Sequence, residues 1–368
     1  MIASRQVSAV RLIASVVLVG CSRPAAVASL PSSPPVDAGR GDSGIALVEP
    51  TPPSIAAAPP SATLPVGDAP PLSRATVTEI LFAADGAPPP ACDGGSESPP
   101  VDCLVRERFS ADPLAARVAQ DLYRRTHDVA GLSPAETMEG GWRGTLHLVP
   151  ALPVGKERKH LEWIAEATRD YDAFFDWLTR EKPGAVRYVW RGLALRFMRS
   201  VGARTPSAYA LLVRSEPGEP EVPVVWSIAY NLDGSLNTSA DAVRELLFHE
   251  NFHLNDQDHG DWAVHTLGAT FDSIVARCRT NIACLTPFTP TEMKVRGGTY
   301  YAFQPNNGAA VREYAAELAL RYYREQRAYA LGLPHPKRFK CGPKENALSW
   351  KLLVDEFFGG IDRTPACS

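Results

Sequence analysis

One short segment constrains the possible fold and chemistry of this chain more than any other. Residues 249–253 read H-E-N-F-H, with two histidines four positions apart around a glutamate. Side chains four residues apart lie on the same face of an α-helix. Two imidazoles in that arrangement can bind one zinc ion, and the intervening carboxylate can accept a proton from water. Ordinary amphipathic helices also contain this spacing, so the interpretation depends on the surrounding sequence.

The flanking residues predict that this motif lies on a buried helix. Asn237–Ser239 supplies N-cap residue types, and good helix formers with an acidic first turn follow over Ala240–Leu247. Phe248 and Leu254 enclose the motif, whose two variable positions are uncharged. A helix of this kind can lie largely buried beneath a cleft, whereas a solvated helix would carry more charge.

Apolar periodicity predicts further elements before the motif. Helices are expected over Asp112–Thr126 and Lys156–Lys182, and strands over Trp142–Pro150, Val186–Trp190, Leu193–Phe197 and Val222–Leu232. Proline cannot donate a hydrogen bond to a neighbouring strand, so Pro223 favours an edge position for the last strand. The order of helices and strands before the motif helix predicts an α+β fold.

The N-terminal residues are typical of an export signal. Arg5 and Arg11 flank the apolar run Leu12–Val19, which is too short to span a bilayer and fits a signal-peptide core. The tetrapeptide L-V-G-C that ends at Cys21 resembles the bacterial lipobox. This resemblance implies cleavage before Cys21, lipid attachment to that residue and, because Ser22 follows, an outer-membrane location. The alternative is an ordinary cleaved signal in which Cys21 has no role.

The composition predicts three regions. Residues 1–20 form the signal peptide, and residues 21–75 form a lipid-anchored tether rich in proline and alanine, which cannot bury enough apolar surface to fold. Residues 76–368 form a single folded domain. Within it, residues 76–236 make a subdomain of helices and a sheet, and residues 237–368 hold the motif helix and a C-terminal helical subdomain. The expected product is an exported lipoprotein that contacts the membrane only through its lipid anchor.

Charge and cysteine content indicate which partners and which cysteine chemistry to expect. The formal net charge is −3 and the basic residues are scattered, so nucleic acid is not expected as a partner. The chain has seven cysteines, and an even number remains once Cys21 is assigned to lipid. Disulfides are therefore expected, and a cysteine zinc site is disfavoured because no C-x-x-C pair is present. Several connectivities are open; the preferred one joins sequence neighbours, as Cys92–Cys103, Cys278–Cys284 and Cys341–Cys367.

A catalytic zinc ion usually takes three protein ligands, so the two histidines need a third. Glu313 is one candidate, because it lies four residues before Glu317 on a strongly helical stretch rich in alanine. Burying two acids there is costly unless they pair or bind a metal, although an exposed acidic stripe paired with arginines is the alternative. His259 is the other candidate. Its spacing matches the metzincin pattern H-E-x-x-H-x-x-G-x-x-H, with aspartate in place of the glycine.

Three segments together resemble the gluzincin metallopeptidases, particularly the catalytic domain of the anthrax lethal factor type. They are the H-E-x-x-H motif, the following G-G-T-Y-Y segment with Tyr300 and Tyr301, and the sequence E-Y-A-A-E over residues 313–317. The resemblance covers roughly residues 237–324, and the loop before Glu313 is longer than the family pattern. It implies a zincin-like α+β fold with a small mixed sheet, an H-E-x-x-H helix and a C-terminal helical subdomain.

The same resemblance implies a role for each site residue. Zn²⁺ would be bound by His249, His253 and Glu313, with Glu250 as general base, Glu317 orienting a ligand, and Tyr300 or Tyr301 stabilising the oxyanion. Glu313 is preferred to His259 as the third ligand. The implied activity is a zinc metalloendopeptidase that hydrolyses peptide bonds in a peptide or protein substrate. The alternative is a non-catalytic lipid-anchored binding protein that retains the zincin scaffold.

Overall fold

The computed structural model describes residues 67–87, 89–90, 92, 100–139, 144–213, 224–295, 298–304, 310–334 and 337–367. The predicted signal peptide, Cys21 and most of the predicted tether lie outside the described residues. Gly67, the first described residue, is packed against the folded domain: its carbonyl accepts a hydrogen bond from the Trp190 N–H at 2.8 Å. Gly67 has a φ of 89°, and a Cβ there would fall 2.3 Å from the Trp190 ring. Glycine is therefore required at this position, before the predicted domain start at residue 76.

The described residues contain nine α-helices and six β-strands, which places the chain in the α+β class. The helices are α1 (Arg74–Phe82), α2 (Pro100–Arg108), α3 (Pro113–Thr126), α4 (Arg158–Thr179), α5 (Ala240–Asp258), α6 (Gly268–Cys278), α7 (Ile282–Leu285), α8 (Ala310–Ala330) and α9 (Lys344–Phe357). The strands are β1 (Val129–Leu132), β2 (Glu136–Glu139), β3 (Thr145–Pro150), β4 (Ala194–Ser200), β5 (Ala208–Val213) and β6 (Val225–Asn231). All described helices from α5 onward follow the last strand, so the second half of the domain is helical.

The strands form one mixed sheet in the order β2-β3-β4-β6-β5. Strand β4 is parallel to β6, and its other side pairs first with β1 in parallel and then with β3 in antiparallel register. Strand β5 is antiparallel to β6 and forms the edge of the sheet. Helix α5 packs against both α4 and β5, so the sheet edge and the motif helix are neighbours.

Several predicted elements are confirmed. The Asp112 carboxylate caps α3 by accepting the N–H groups of Leu114 and Ala115, each at 3.1 Å. Helix α4 and strand β4 lie within or next to their predicted ranges. Strand β3 begins at Thr145, and the first residues of the predicted strand, Trp142 among them, lie outside the described residues.

The strand prediction for Val186–Trp190 is wrong. This segment belongs to no sheet, and the backbone of Val189 pairs instead with a side chain of the motif helix. Asn255 accepts the Val189 N–H at 2.8 Å and donates to the Val189 carbonyl at 3.0 Å. The apolar residues of the segment therefore pack onto helices, Tyr188 on Phe248 of α5 and Trp190 on Phe175 of α4, instead of onto a sheet.

The edge position predicted for Val222–Leu232 is also wrong. The observed strand β6 lies inside the sheet between β4 and β5, and all seven of its residues are buried. A strand covered on both faces in this way is typical of a sheet interior. Pro223, on which the prediction depended, lies outside the described residues, and the edge is formed by β5, a strand that periodicity did not indicate.

An aromatic stack anchors the motif helix to the core. The fully buried ring of Phe248, directly before the first motif histidine, stacks on Tyr188 with centroids 5.0 Å apart and on Tyr323 of α8 with centroids 4.4 Å apart. The Tyr188 hydroxyl also donates to the Phe248 carbonyl at 2.9 Å. Truncating a buried phenylalanine to alanine typically costs about 3–5 kcal/mol. These contacts fix α5 against α8.

Three disulfides close the described chain, and they join the sequence neighbours preferred above. The bonds are Cys92–Cys103, Cys278–Cys284 and Cys341–Cys367. Several disulfides in one chain are typical of proteins that fold in an oxidising, exported environment. Within the described part of the chain, no helix combines the length and the apolar character that crossing a bilayer requires.

A buried acid at the start of β1 gives the fold a dependence on pH. Asp128 accepts the Leu193 N–H at 2.8 Å and lies 2.8 Å from the Thr126 hydroxyl, which is also 2.8 Å from the Leu122 carbonyl. One hydroxyl proton cannot serve both acceptors, whereas a protonated Asp128 can donate to Thr126. Burial raises the pKa of Asp128 from 3.8 to about 7, although its hydrogen bonds oppose the increase.

We expect the contribution of Asp128 to the free energy of unfolding to decrease as the pH rises. The folded pKa lies above the unfolded value, so the contribution of Asp128 is complete below pH 3.8 and is lost as the pH rises through about 7. Urea unfolding at several pH values, compared between the parent chain and an Asp128→Asn variant, measures it. The parent should lose stability relative to the variant over this interval, and parallel profiles would contradict the prediction.

Candidate metal centre

Helix α5 supplies the two motif histidines to one point in space. Its N-terminus is capped by Ser239, whose hydroxyl accepts the Ala242 N–H at 3.2 Å, as the sequence predicts. His249 and His253 are both buried, and their Nε2 atoms lie 3.1 Å apart. The two ring nitrogens therefore face the same small volume.

Helix α8 brings a carboxylate to the same volume. The Oε2 atom of Glu313 lies 3.3 Å from the Nε2 atom of His249, and its Oε1 atom lies 3.5 Å from the Nε2 atom of His253. One potential ligand atom from each of the three residues falls within 4.8 Å of the others. Of the residues that the structure describes, only these three form such a group of histidine, cysteine or acidic side chains.

The chemistry of this group fits a metal ion. Two Nε2 atoms 3.1 Å apart can share at most one proton when both rings are neutral, and the buried Oε2 atom of Glu313 has no hydrogen-bond partner among the described residues. Buried polar atoms without partners are costly unless another group satisfies them. Two imidazole nitrogens and one carboxylate oxygen form a ligand set that suits zinc, and a metal would satisfy all three.

Glu317 orients one of the histidines. Its Oε1 atom lies 3.0 Å from the Nδ1 atom of His249, and its Oε2 atom accepts a hydrogen bond from the Thr291 hydroxyl. A carboxylate at Nδ1 holds the proton on that nitrogen and leaves the Nε2 lone pair for a metal. The structure thus places Glu317 beside Nδ1 of His249, and adds Thr291, which no sequence pattern had indicated.

Glu250 lies buried between the metal-binding group and the sheet edge. Burial raises the pKa of its carboxyl group, while His249, His253 and a hydrogen bond from the Ala210 N–H of β5 lower it in part. Its Oε2 atom has no hydrogen-bond partner within the described structure. Glu250 also lines a cleft with a volume of about 190 Å³, so a small molecule in that cleft can reach the carboxylate.

The two tyrosine candidates lie in different surroundings. Tyr301 is buried, its ring centroid lies 6.0 Å from that of His249, and its hydroxyl hydrogen-bonds Glu313. Burial and the nearby carboxylates of Glu313 and Glu250 raise the pKa of Tyr301 well above 10.0, so its hydroxyl keeps its proton. Tyr300 instead hydrogen-bonds the Thr286 hydroxyl at 3.0 Å. The structure therefore brings only Tyr301 to the metal-binding group.

His259 lies elsewhere. Its Nδ1 atom is 2.7 Å from the Oε1 atom of Glu356, and its ring packs on Phe357 of α9. Helix α5 continues as far as Asp258 and does not turn at the position of the missing glycine. His259 consequently faces a different part of the protein from His253, and the metzincin-type ligand set is not assembled.

The cleft beside the metal-binding group has mainly apolar walls. Leu246, Met293 and Leu320 line it together with Tyr301 and Glu317, and its polar border contains an ion pair between Arg324 and Glu245 with N–O distances of 2.5 and 2.8 Å. These residues come from distant parts of the sequence, so spacing alone could not have indicated them.

Comparison with known proteins adds no further information. The chain matches no family model, no curated protein and no solved structure. The chemistry of the site must therefore be inferred from its own geometry.

Proposed function

We propose that this chain is a zinc-dependent metalloendopeptidase with a zincin-like fold of the gluzincin type. One observation carries the proposal. The two α5 histidines and Glu313 of α8 bring three ligand atoms within 4.8 Å of one another, with the Glu250 carboxylate in the same buried region. Histidine nitrogens and a carboxylate oxygen, in this number, are the ligands of catalytic zinc sites that keep one position for water or substrate.

The residues around the site divide the chemistry of peptide hydrolysis between them. When bound, zinc supplies Lewis acidity, which polarises a substrate carbonyl and lowers the pKa of water. Glu250 accepts the proton of the attacking water and passes it to the leaving amine. A raised pKa makes this carboxylate a stronger base than an exposed glutamate. Tyr301 keeps its proton, and its hydroxyl would turn from Glu313 to donate that proton in a hydrogen bond to the developing oxyanion.

The sheet edge offers a place for an extended peptide. Among the described strands, β5 pairs only with β6, and it packs against α5, where the Ala210 N–H reaches Glu250. Backbone groups on a free strand edge can pair with an extended chain. A peptide added along β5 would pass beside the general base, which supports a peptide or protein substrate.

The alternative of a non-catalytic binding protein has weaker support. A purely structural zinc site is closed by four protein ligands. Among the described residues, the group contains three, and His259 is engaged with Glu356. A structural site also has no use for Glu250, a buried acid with one unpartnered oxygen.

Two measurements test the proposal together. Elemental analysis of the purified chain should find one zinc ion per protein. The chain should also cleave a library of unfolded peptides at internal bonds, and a chelator should prevent this cleavage. Protein without stoichiometric zinc, or cleavage unaffected by chelation, would contradict it.

We also propose that the chain is an outer-membrane lipoprotein, because its three disulfides agree with an oxidising compartment and the L-V-G-C tetrapeptide precedes the Pro/Ala-rich segment. Mass spectrometry of the mature N-terminus should find a lipid on Cys21. An unmodified Cys21 after export would contradict this location.

Glu317 provides a prediction for the ligand geometry. Replacing it with glutamine should weaken zinc affinity about 10–100-fold, because the amide no longer holds the proton on Nδ1 of His249 as strongly. Competition with a chromogenic zinc chelator measures the affinity. Glu325→Gln is the matched control, since Glu325 is also buried on α8 but pairs with Arg321 at 2.6 Å, away from the site. Equal losses in the two variants would show that Glu317 acts only through stability.

A further inference from the structure

A second cleft lies at the C-terminal ends of α4 and α8, and it shares no lining residue with the metal-centre cleft. Its volume is about 510 Å³, and its wall includes Trp177, Arg180, Lys182, Tyr329 and Arg363. The rings of Trp177 and Tyr329 lie 6.4 Å apart at its border. The proposed peptidase chemistry uses none of these residues.

Exposed apolar side chains continue from this cleft along the chain. Three large apolar side chains are exposed within five residues where α8 ends. They are Tyr329, Leu331 and Leu333, which are 42%, 55% and 47% exposed. The Leu333 N–H donates to the Ala328 carbonyl at 2.9 Å, so this turn is a fixed part of the helix end. Large apolar side chains concentrated on one ordered turn mark an interaction surface rather than the scattered exposure of ordinary surfaces.

The charges at the cleft are not balanced. The two acids in its wall are each neutralised by an internal ion pair, Glu181 with Arg363 at 2.9 Å and Asp362 with Lys340 at 2.8 Å. Arg180 and Lys182 are exposed, and neither has an ion-pair partner among the residues that the structure describes. Asp176, which is exposed four residues before Arg180, offsets one of these charges, so the surface carries a net positive charge next to its aromatic and aliphatic side chains.

We propose that the basic–aromatic patch, defined as Trp177, Arg180, Lys182, Tyr329, Leu331 and Leu333, docks the folded domain onto an anionic phospholipid surface. Each residue type matches one layer of a bilayer interface. Leucines enter the acyl boundary, tryptophan and tyrosine favour the headgroup level, and arginine and lysine attract anionic phosphates. The net positive charge favours this occupant over a second copy of the chain, whose patch would carry the same sign.

Docking would complement an N-terminal anchor without depending on the metal centre. The proposed lipidation site, Cys21, lies 46 residues before Gly67, the first described residue, so lipidation can be removed by substitution without touching the patch.

Vesicle co-sedimentation tests the patch apart from lipidation. The full chain with Cys21→Ala should bind vesicles of phosphatidylethanolamine and phosphatidylglycerol, and bind vesicles of phosphatidylethanolamine alone far less. Arg180→Gln and Lys182→Gln should each weaken binding to the anionic vesicles about fivefold. The Leu331→Ser and Leu333→Ser double variant should weaken it at least tenfold. Hydrogen exchange should show that the amides of residues 329–333 become protected on anionic vesicles.

Leu114→Ser and Arg117→Gln on α3 are the matched controls, because Leu114 is 45% exposed and Arg117 lies on the same helix surface away from the patch. Binding that both sets of variants reduce equally, or amides 329–333 that stay unprotected on anionic vesicles, would overturn the proposal. A concentration-dependent dimer abolished by the leucine double variant would overturn it in favour of self-association. Peptide cleavage in solution should be unchanged in the patch variants, so a failure of this proposal is distinguishable from a failure of the peptidase proposal.

Discussion

We expect Glu250→Gln to reduce peptide hydrolysis by about 10²–10⁴-fold while zinc stays bound. The amide has nearly the same shape as the carboxylate but cannot accept the proton of the attacking water. Glu250 is outside the three-residue ligand group, so the metal content of the variant should equal that of the parent. Cleavage rates of a fluorogenic peptide, measured beside elemental analysis of the same preparations, check both parts of this prediction.

Asp256→Asn is the matched control for this experiment. Asp256 is also a buried acid on α5, but its Oδ1 atom accepts the Ala263 N–H at 2.6 Å and so caps the following turn. The control should keep hydrolysis within a few-fold of the parent. If Glu250→Gln cleaves as fast as the parent, or if both variants lose activity equally, Glu250 is not the general base.

The second large effect concerns Glu313, the proposed metal ligand on α8. We expect Glu313→Gln to abolish stoichiometric zinc binding, because the site would keep only two strong ligands. Zinc at 100–1,000 times its dissociation constant stabilises a folded protein by about 2.7–4.1 kcal/mol. For a domain of about 300 residues that corresponds to a rise in Tm of about 4–7 °C, which the parent should show and Glu313→Gln should lack.

Differential scanning calorimetry with and without a chelator measures the difference in Tm. The Glu317→Gln variant should keep a zinc-dependent rise that appears only at higher zinc concentration. A Glu313→Gln variant that zinc stabilises as much as the parent would contradict the assignment of Glu313. A zinc-dependent rise in a His259→Ala variant is expected, because His259 contacts Glu356 and not the site.

The local part of the site could be predicted from the sequence, because a helix fixes its own geometry. Once Ser239 caps α5, the spacing of His249 and His253 places their rings together without help from distant residues. Glu313 could be proposed from its neighbour Glu317, since two acids on an alanine-rich helix need partners. Their contacts with His249 depend on how α5 and α8 pack, which periodicity does not contain.

The positions of residues that depend on tertiary contacts could not be predicted from the sequence. Tyr300 and Tyr301 are adjacent and chemically identical, and only the short turn that pairs the Tyr301 N–H with the Met293 carbonyl at 2.8 Å decides which one reaches the site. The same limit explains the errors in the sheet. Val186–Trp190 has the composition of a strand, but the side chain of Asn255 takes the place of a neighbouring strand.

The stack of Phe248 on Tyr188 and Tyr323 has a consequence for the evolution of this site. Phe248 precedes a proposed ligand, and Tyr323 lies on the helix that carries the third ligand, so the same rings fill the core and set the separation of the ligands. The cost of holding these three side chains together is therefore met by the packing of the core. A substitution that shrinks one of these rings should weaken the proposed metal site as well as the fold, so drift at these core positions would be constrained by the site.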